Sequence, residues 1–228
     1  LRPFRMGREV VRGLDRWCLW MADDDFDPSD IRRSPVLKAR IEACRAWRSQ
    51  QSTGGDAYKL RDTPHLFRGN KHRPLVPYVG IPRVVSERRE FYTVQHLPTT
   101  VISGGKVYTA EDPDGFLLGV ISSSMFITWQ RAIGGRLKSD LRFSNIVVWN
   151  NLPLPTVEPE LREKIIGAGK GVIAARELHP ERSLAEHYNP LAMSPALLKA
   201  HAVLDRVVDK AFGAKKPLHS NEERLTLL

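Results

Sequence analysis

The feature that most constrains this chain is an apolar segment of 18 residues, from Phe116 to Ile133. It follows the turn sequence Asp112-Pro113-Asp114-Gly115 and ends at Gly134-Gly135, which predicts one helix between two breakers. Apolar side chains occupy most positions around this helix. Because a helix that is apolar nearly all round is buried, the chain must build a hydrophobic core around it. A length of 228 residues with 42% hydrophobic side chains is sufficient for such a core.

The remaining patterns predict an α+β fold in two parts. A mixed, β-rich domain with the buried central helix covers residues 1–155, and an all-helical segment covers 156–228. Alternating β-branched and aromatic residues predict strands at 17–21, 76–81, 84–85, 91–94 and 106–109. Capping signals and apolar periodicity predict further helices that begin after Ser34, cover 158–178 and 183–190, and begin after Ser194 and Ser220.

The segment from Gly134 to Asn145 follows the central helix and mixes three cations and one carboxylate with apolar residues. On an extended backbone alternate side chains share a face, so the charged positions from Arg136 to Arg142 would form one row. Arg and Lys donate to guanine O6 and N7, and Asp accepts from cytosine N4, so this row suits base readout in the DNA major groove. The alternative is a charged, solvated edge strand that prevents aggregation.

The formal net charge is +9 and the sequence pI is about 9.8. Such a balance favours a polyanionic partner, with nucleic acid as the first candidate. Charge alone is weak evidence, because many ordinary enzymes are basic. No apolar run reaches the length of a membrane span, so we expect no membrane partner.

The sequence predicts no catalytic residue, no cofactor site and no metal site in this segment. Gly167-Ala168-Gly169-Lys170-Gly171 lacks the Walker spacing and lies inside a helical pattern. Cys18 and Cys44 have no ligand spacing, which indicates free thiols in a reducing cytoplasm. His201 and Asp205 lie four apart on a helix, and we interpret them as structural rather than metal-binding. A recognition role is the most economical hypothesis.

Several segments together resemble a known family. They include Arg2-Pro3-Phe4 with Arg16-Trp17-Cys18-Leu19-Trp20, the stretch Val79 to Arg89, Phe116 to Pro155 with its Phe-Ser-Asn and Asn-Asn-x-Pro-x-Pro patterns, and Leu198 to Gly213. The combination is similar to the single-chain type IIG restriction–modification enzymes, specifically the type IIL subgroup. The resemblance covers nearly the whole chain. Because the chain starts without Met and stops inside a helical pattern, we expect it to be a piece of a longer protein.

The resemblance implies that the intact protein binds S-adenosylmethionine and methylates an adenine amino group in a short asymmetric DNA site. Residues 1–155 would be the target-recognition domain, with 1–21 as the joint to an upstream methyltransferase domain of the same chain. The truncated helices of 156–228 would follow. The resemblance leaves open a nuclease domain, which would need Mg²⁺. The expected partners are double-stranded DNA and the methyltransferase domain.

In the family, the positions of Lys138 and Asp140 act as a pair that reads one base pair. Lys138 would donate to guanine and Asp140 would accept from the paired cytosine, which predicts G·C in one orientation. Arg142 would read a neighbouring base. We expect Glu87 and Glu111 to read another.

A turn residue paired with Arg83 or Arg89 is the alternative for Glu87. Other basic residues are better suited to phosphate contacts, which position a protein without reading sequence. They are Lys71, Arg73, Arg88, Lys106, Arg131 and Arg136.

Two other functions stay open. One is half of a type I specificity subunit, which has a similar recognition core but joins two halves by long coiled coils; the terminal helices here lack sustained heptads. The other is a basic scaffold that binds RNA or protein without sequence preference. No aromatic stacking platform in the sequence supports RNA.

Overall fold

A computed structural model describes residues 1–23, 26–68 and 74–228. Its strands form three small sheets. In the first, β1 (Arg2–Arg5) lies between antiparallel β2 (Trp17–Cys18) and parallel β6 (Ile102–Ser103). In the second, β3 (Tyr78–Pro82) lies between β5 (Gln95–Leu97) and β7 (Val107–Glu111). In the third, β9 (Asp140–Arg142) lies between β4 (Val84–Val85) and β8 (Gly135–Leu137).

Helices join and cover these sheets. Those of the first 155 residues are α1 (Gly7–Arg12), α2 (Ser29–Arg33), α3 (Pro35–Ser49), α4 (Asp56–Lys59), α5 (Phe116–Ser122) and α6 (Ser124–Ile133), followed by a π-helix at Asn145–Trp149. The rest are α7 (Pro159–Glu177), α8 (Leu184–His187), α9 (Pro195–Ala211) and α10 (Asn221–Leu227). The predicted α+β class, with a helical C-terminal part, is confirmed.

Local capping signals located helix starts correctly. The side chains of Ser34, Ser194 and Ser220 accept hydrogen bonds from backbone N–H groups at the start of α3, α9 and α10. The strand predicted at 91–94 is wrong. All four of its residues are buried in an irregular stretch that crosses the core, and the strand β5 begins only at Gln95.

The central apolar segment is buried as predicted, but it is two helices rather than one. The chain is extended at Ser123, whose side chain accepts from the N–H of Phe126 and caps α6. Asp205 of α9 accepts from the backbone N–H of Ser124 at 2.7 Å and from its hydroxyl at 2.6 Å. These acceptors satisfy N–H groups that a helix start leaves free, so the break is stable inside the core.

Among the described helices, none is long and apolar enough by itself to cross a membrane. The pair α5 and α6 meets that length and composition only when combined, and the two helices are bent by 63°. The burial expected for Trp129 in α6 is only partial. Its indole Nε1 donates to the carbonyl of Val148 at 2.8 Å, while part of the side chain stays accessible to solvent.

One hydrophobic core continues from the first part of the chain into the C-terminal helices, from Val10 to Val208. The crossing of α5 and α7 within this core uses two glycines. A Cβ on Gly119 of α5 would lie 3.1 Å from the carbonyl oxygen of Ile165, and one on Gly169 of α7 would lie 3.1 Å from the Cα of Gly119. Gly169 therefore serves helix packing, in agreement with the absence of a phosphate-binding motif there.

A buried polar group joins α7, α8 and α9. The imidazole of His201 stacks on Phe91 with ring centroids 3.7 Å apart, and its Nε2 lies 2.8 Å from the hydroxyl of Tyr188. Arg176 also donates to that hydroxyl and to the carbonyl of Val94. Burial holds the pKa of His201 well below its ordinary value, and the charge of Arg176 lowers it further. His201 is therefore structural, as the sequence analysis proposed, and its surroundings favour the neutral imidazole.

This neutral histidine predicts acid sensitivity. Below about pH 6.5 the unfolded chain takes up a proton that folded His201 refuses, so the free energy of unfolding falls as the pH drops. The slope from this one group approaches about 1.4 kcal/mol per pH unit. Urea unfolding of His201→Gln at pH 7, 6 and 5 should show a shallower loss than the unsubstituted chain. His219→Gln, at an exposed position, is the control. Equal slopes for both variants would contradict this assignment.

Candidate nucleic-acid interface

The charged segment after α6 is a hairpin, not one extended strand. β8 and β9 pair antiparallel with Leu137 opposite Asp140 and Arg136 opposite Leu141, and Lys138 and Ser139 form the two-residue turn. Lys138 has φ 57°, the left-handed conformation that side chains avoid. Short turns between twisted strands need such a residue, normally glycine. The chain therefore accepts strain to place a lysine at the tip.

The turn also changes which side chains share a face. Residues opposite one another in a ladder point the same way, so Asp140 and Arg142 lie on one face with Leu137 and Val84. Arg136 shares the other face with Leu141, which is fully buried. The single row expected from Arg136 to Arg142 is wrong, because the turn reverses the chain within that row. Asp140 and Arg142 remain together, and Lys138 extends from the tip.

A buried glutamine fixes the hairpin to α6. The side chain of Gln130 is fully buried and its Nε2 donates to the carbonyl of Arg142 at 3.2 Å. A Cβ on Gly134 would collide with the Gln130 side chain and its carbonyl, whereas one on Gly135 would meet nothing within 4 Å. Gly134 is thus required by a close approach. Together with Gln130, it aims the hairpin from a rigid base instead of acting as a flexible joint.

Glu87 lies beside the hairpin. Its backbone N–H donates to Oδ1 of Asp140 at 3.4 Å, and its carbonyl accepts from Nη2 of Arg131 at 3.3 Å. The same Nη2 donates to the carbonyl of Arg89 at 2.7 Å. The alternative for Glu87 was a turn residue that pairs with Arg83 or Arg89. Within the described residues its carboxylate forms no ion pair with either arginine.

Arg131 is half-buried and holds this turn through two carbonyls. Burial lowers its pKa from the ordinary value, and the charge of Arg136 lowers it further. Arg136 is exposed, with Nη1 donating to the Ser139 carbonyl at 3.2 Å across the turn. Arg88 is exposed in the turn that Arg131 holds. These three arginines thus lie near the hairpin, and Arg131 also positions the backbone of the neighbouring turn; their phosphate contacts stay a prediction.

The remaining predicted residues are placed differently. Lys106 precedes β7, and its carbonyl accepts from the N–H of Arg83 at 3.0 Å, next to β4. Glu111 ends β7, five positions further on, which is about 16 Å along an extended chain. It lines a separate groove with Trp20, so the structure does not bring it to the hairpin. Lys71 and Arg73 lie outside the described residues.

A shallow groove beside the hairpin contains cations that the sequence analysis missed. It has a volume of about 620 Å³ and is lined by Leu137 and Arg142 of the hairpin together with Arg8, Arg12, Arg83 and Lys106. One signal in the sequence could have indicated this groove: Arg8 and Arg12 are four residues apart, which places both on one face of a helix. Among the described residues no cluster of three or more His, Cys, Asp or Glu side chains could hold a metal ion.

Comparison with known proteins agrees with this geometry. The description "MmeI, target recognition domain" matches residues 1–156, and "MmeI, C-terminal domain" matches residues 157–228. The chain belongs to the MmeI family. The resemblance to type IIL enzymes drawn from the sequence is therefore confirmed.

Two relatives extend the match. A DNA methyltransferase A from Bacillus subtilis (strain 168) is 32% identical over 96% of this chain, which covers 24% of that protein. A solved structure of the type IIL restriction–modification enzyme MmeI in complex with DNA is 33% identical, with a TM-score of 0.90 over the whole chain and 30% of its own length. The MmeI-like chain thus spans about a quarter to a third of these relatives.

The strain at the hairpin tip can be measured. Lys138→Gly should be more stable than Lys138→Ala by about 1 kcal/mol, because only glycine adopts a positive φ without a steric cost. Denaturant unfolding of the two variants gives this difference directly. The same pair at Ser139, whose φ is not positive, is the control and should favour alanine. If Lys138→Gly were no more stable than Lys138→Ala, the left-handed turn would be contradicted.

Proposed function

We propose that this chain recognises a short asymmetric sequence in duplex DNA for a methyltransferase domain of the same protein. The observation that carries the proposal is the hairpin: Lys138 is exposed at a strained tip, and Asp140 lies beside Glu87 on a rigidly anchored strand. Binding groups held by packed elements are suited to discriminate between base pairs, because little ordering is left to do on binding.

The chemistry of the tip indicates which bases it reads. The Lys138 ammonium donates to guanine O6 or N7, and the Asp140 carboxylate accepts from cytosine N4, so together they select one orientation of a G·C pair. Arg142 lies two residues along the same strand, about 7 Å away, within reach of a neighbouring base pair. Glu87 completes this set. Glu111 lies on a different groove, so we assign base readout to the hairpin and to Glu87.

Phosphate contacts are assigned to the exposed cations around the hairpin, Arg88, Arg136 and Lys106. Arg131 supports them by holding the turn that contains Glu87. Such contacts position the protein and make its affinity strongly dependent on salt.

The relatives support the wider role. The MmeI structure is a complex with DNA, and the Bacillus relative is a DNA methyltransferase. By analogy, the longer protein would bind S-adenosylmethionine in an upstream domain and flip the target adenine out of the duplex for methylation. This activity would take place in the bacterial cytoplasm. A nuclease domain, with Mg²⁺, is an additional part that some such enzymes would carry.

The proposal predicts a change of specificity. In the full-length protein, Lys138→Glu with Asp140→Arg should replace the recognised G·C pair by another base pair at one position and leave the rest of the motif intact. Both side chains lie at the surface of the hairpin, so the melting temperature should change little. The test is to express the gene in a host that lacks adenine methylation and to map methyladenine by sequencing.

The two alternatives predict other outcomes. A methylated motif that the double variant leaves unchanged would remove the hairpin from base readout. A type I specificity half would methylate only together with separate modification subunits. A basic scaffold would give no methylated motif, and its binding would be equal for all duplex sequences.

A further inference from the structure

The groove beside the hairpin is the strongest feature that the base-reading role leaves unexplained. It is lined by five cations and by the apolar side chains of Val11, Val84 and Leu137. The cations come from four separate parts of the chain: Arg8 and Arg12 from α1, Arg83 from the residue after β3, Lys106 from the residue before β7, and Arg142 from the hairpin.

None of these five side chains has an ion pair or hydrogen bond within the described part of the chain. Nearby arginines are different: Arg5 pairs with Asp15, and Arg16 pairs with Glu9. Unpaired cations that face one another repel, and Arg8 and Arg12 do so at four-residue spacing on α1. The groove therefore carries uncompensated positive charge, whereas the neighbouring arginines Arg5 and Arg16 are neutralised by carboxylates.

The position of the groove identifies its ligand. The hairpin face that borders it carries Arg142 and Asp140, the side chains assigned to base readout. In the proposed function, a DNA strand whose bases contact the tip continues along that face, which brings its phosphates next to the groove. Cations next to apolar side chains match a phosphodiester backbone, which has charged oxygens on one side and apolar sugar faces on the other.

The first helix is fixed rigidly in this arrangement. A Cβ on Gly7 would lie 3.3 Å from the carbonyl of Lys106, so the start of α1 is packed closely against the turn before β7. The N–H of Met6 donates to the carboxylate of Glu9, which caps the helix. Arg8 and Arg12 are thus presented from a fixed element at the edge of the groove.

We propose that Arg8 and Arg12, with Arg83 and Lys106, form a phosphate-binding track that holds the DNA strand next to the base-reading hairpin. This inference rests on the proposed function and adds a second contact surface, on α1, that the base readers do not include. The track contributes affinity and alignment in equal measure for every sequence, since phosphates carry no base information.

The test is the salt dependence of DNA binding by the full-length protein. Arg8→Gln with Arg12→Gln should weaken binding of cognate and non-cognate duplexes alike and reduce the slope of log affinity against log salt by about 1.8, at about 0.9 per phosphate lost. The methylated motif should stay the same. Lys106→Gln, outside α1, should reduce the slope by about 0.9 and guards against a folding defect in the double variant.

The matched control is Arg206→Gln with Lys210→Gln, another exposed cation pair at four-residue spacing, on α9 far along the chain. It removes the same charge and should leave the slope unchanged. Equal slopes in the two double variants, or a changed motif in the groove variant, would overturn the track. If the unsubstituted protein binds no duplex DNA and methylates no motif, the proposed function itself fails. Cognate binding with an unaltered slope in the groove variant would reject the track alone.

Discussion

The direction of the hairpin depends on one buried carboxylate. Asp205 of α9 accepts from both polar groups of Ser124, at the bend where α5 ends and α6 begins. Burial raises the pKa of Asp205, while the bonds from Ser124 and the charge of Arg224 oppose that shift. Without this acceptor the backbone N–H and the hydroxyl of Ser124 would lose their partner inside the core, at a cost of about 1–3 kcal/mol each. The bend therefore exists because the C-terminal helices supply a partner for it.

The helix α6 that starts at this bend holds the surface hairpin in place. α6 carries Gln130, whose amide supports the hairpin at the carbonyl of Arg142, and Gly134 leaves room for that amide. Arg131, the next residue, holds the turn that contains Glu87. The C-terminal segment is thus part of the support of the recognition surface. The largest hydrophobic cluster leads to the same conclusion, because it contains side chains from both parts of the chain.

Sequence patterns predicted the features that depend on neighbouring residues in the chain. Serine caps, apolar periodicity and the resemblance located the helices after Ser34 and Ser194 and the charged segment after α6. They could not predict the break at Ser123, because its stabilising partner lies 81 residues away from Ser124. They also missed the hairpin turn, since Lys138 replaces the glycine that normally marks it. The cationic groove was missed for the same reason: its members meet only through tertiary packing.

The two faces of the hairpin explain how the base preference of such a surface could change without loss of the fold. Leu141 and Val85 anchor the inward face in the core and make no demand on the outward side chains. Asp140 points outward, and its one described bond to the protein, from the N–H of Glu87, is long. In the proposed function, base preference is set by side chains that contribute little to stability, on a backbone held by other side chains, Leu141 and Val85 among them. On that proposal, a substitution at the tip would alter the donor and acceptor pattern alone, whereas one at Gln130 or Gly134 would displace the proposed base readers of the hairpin together.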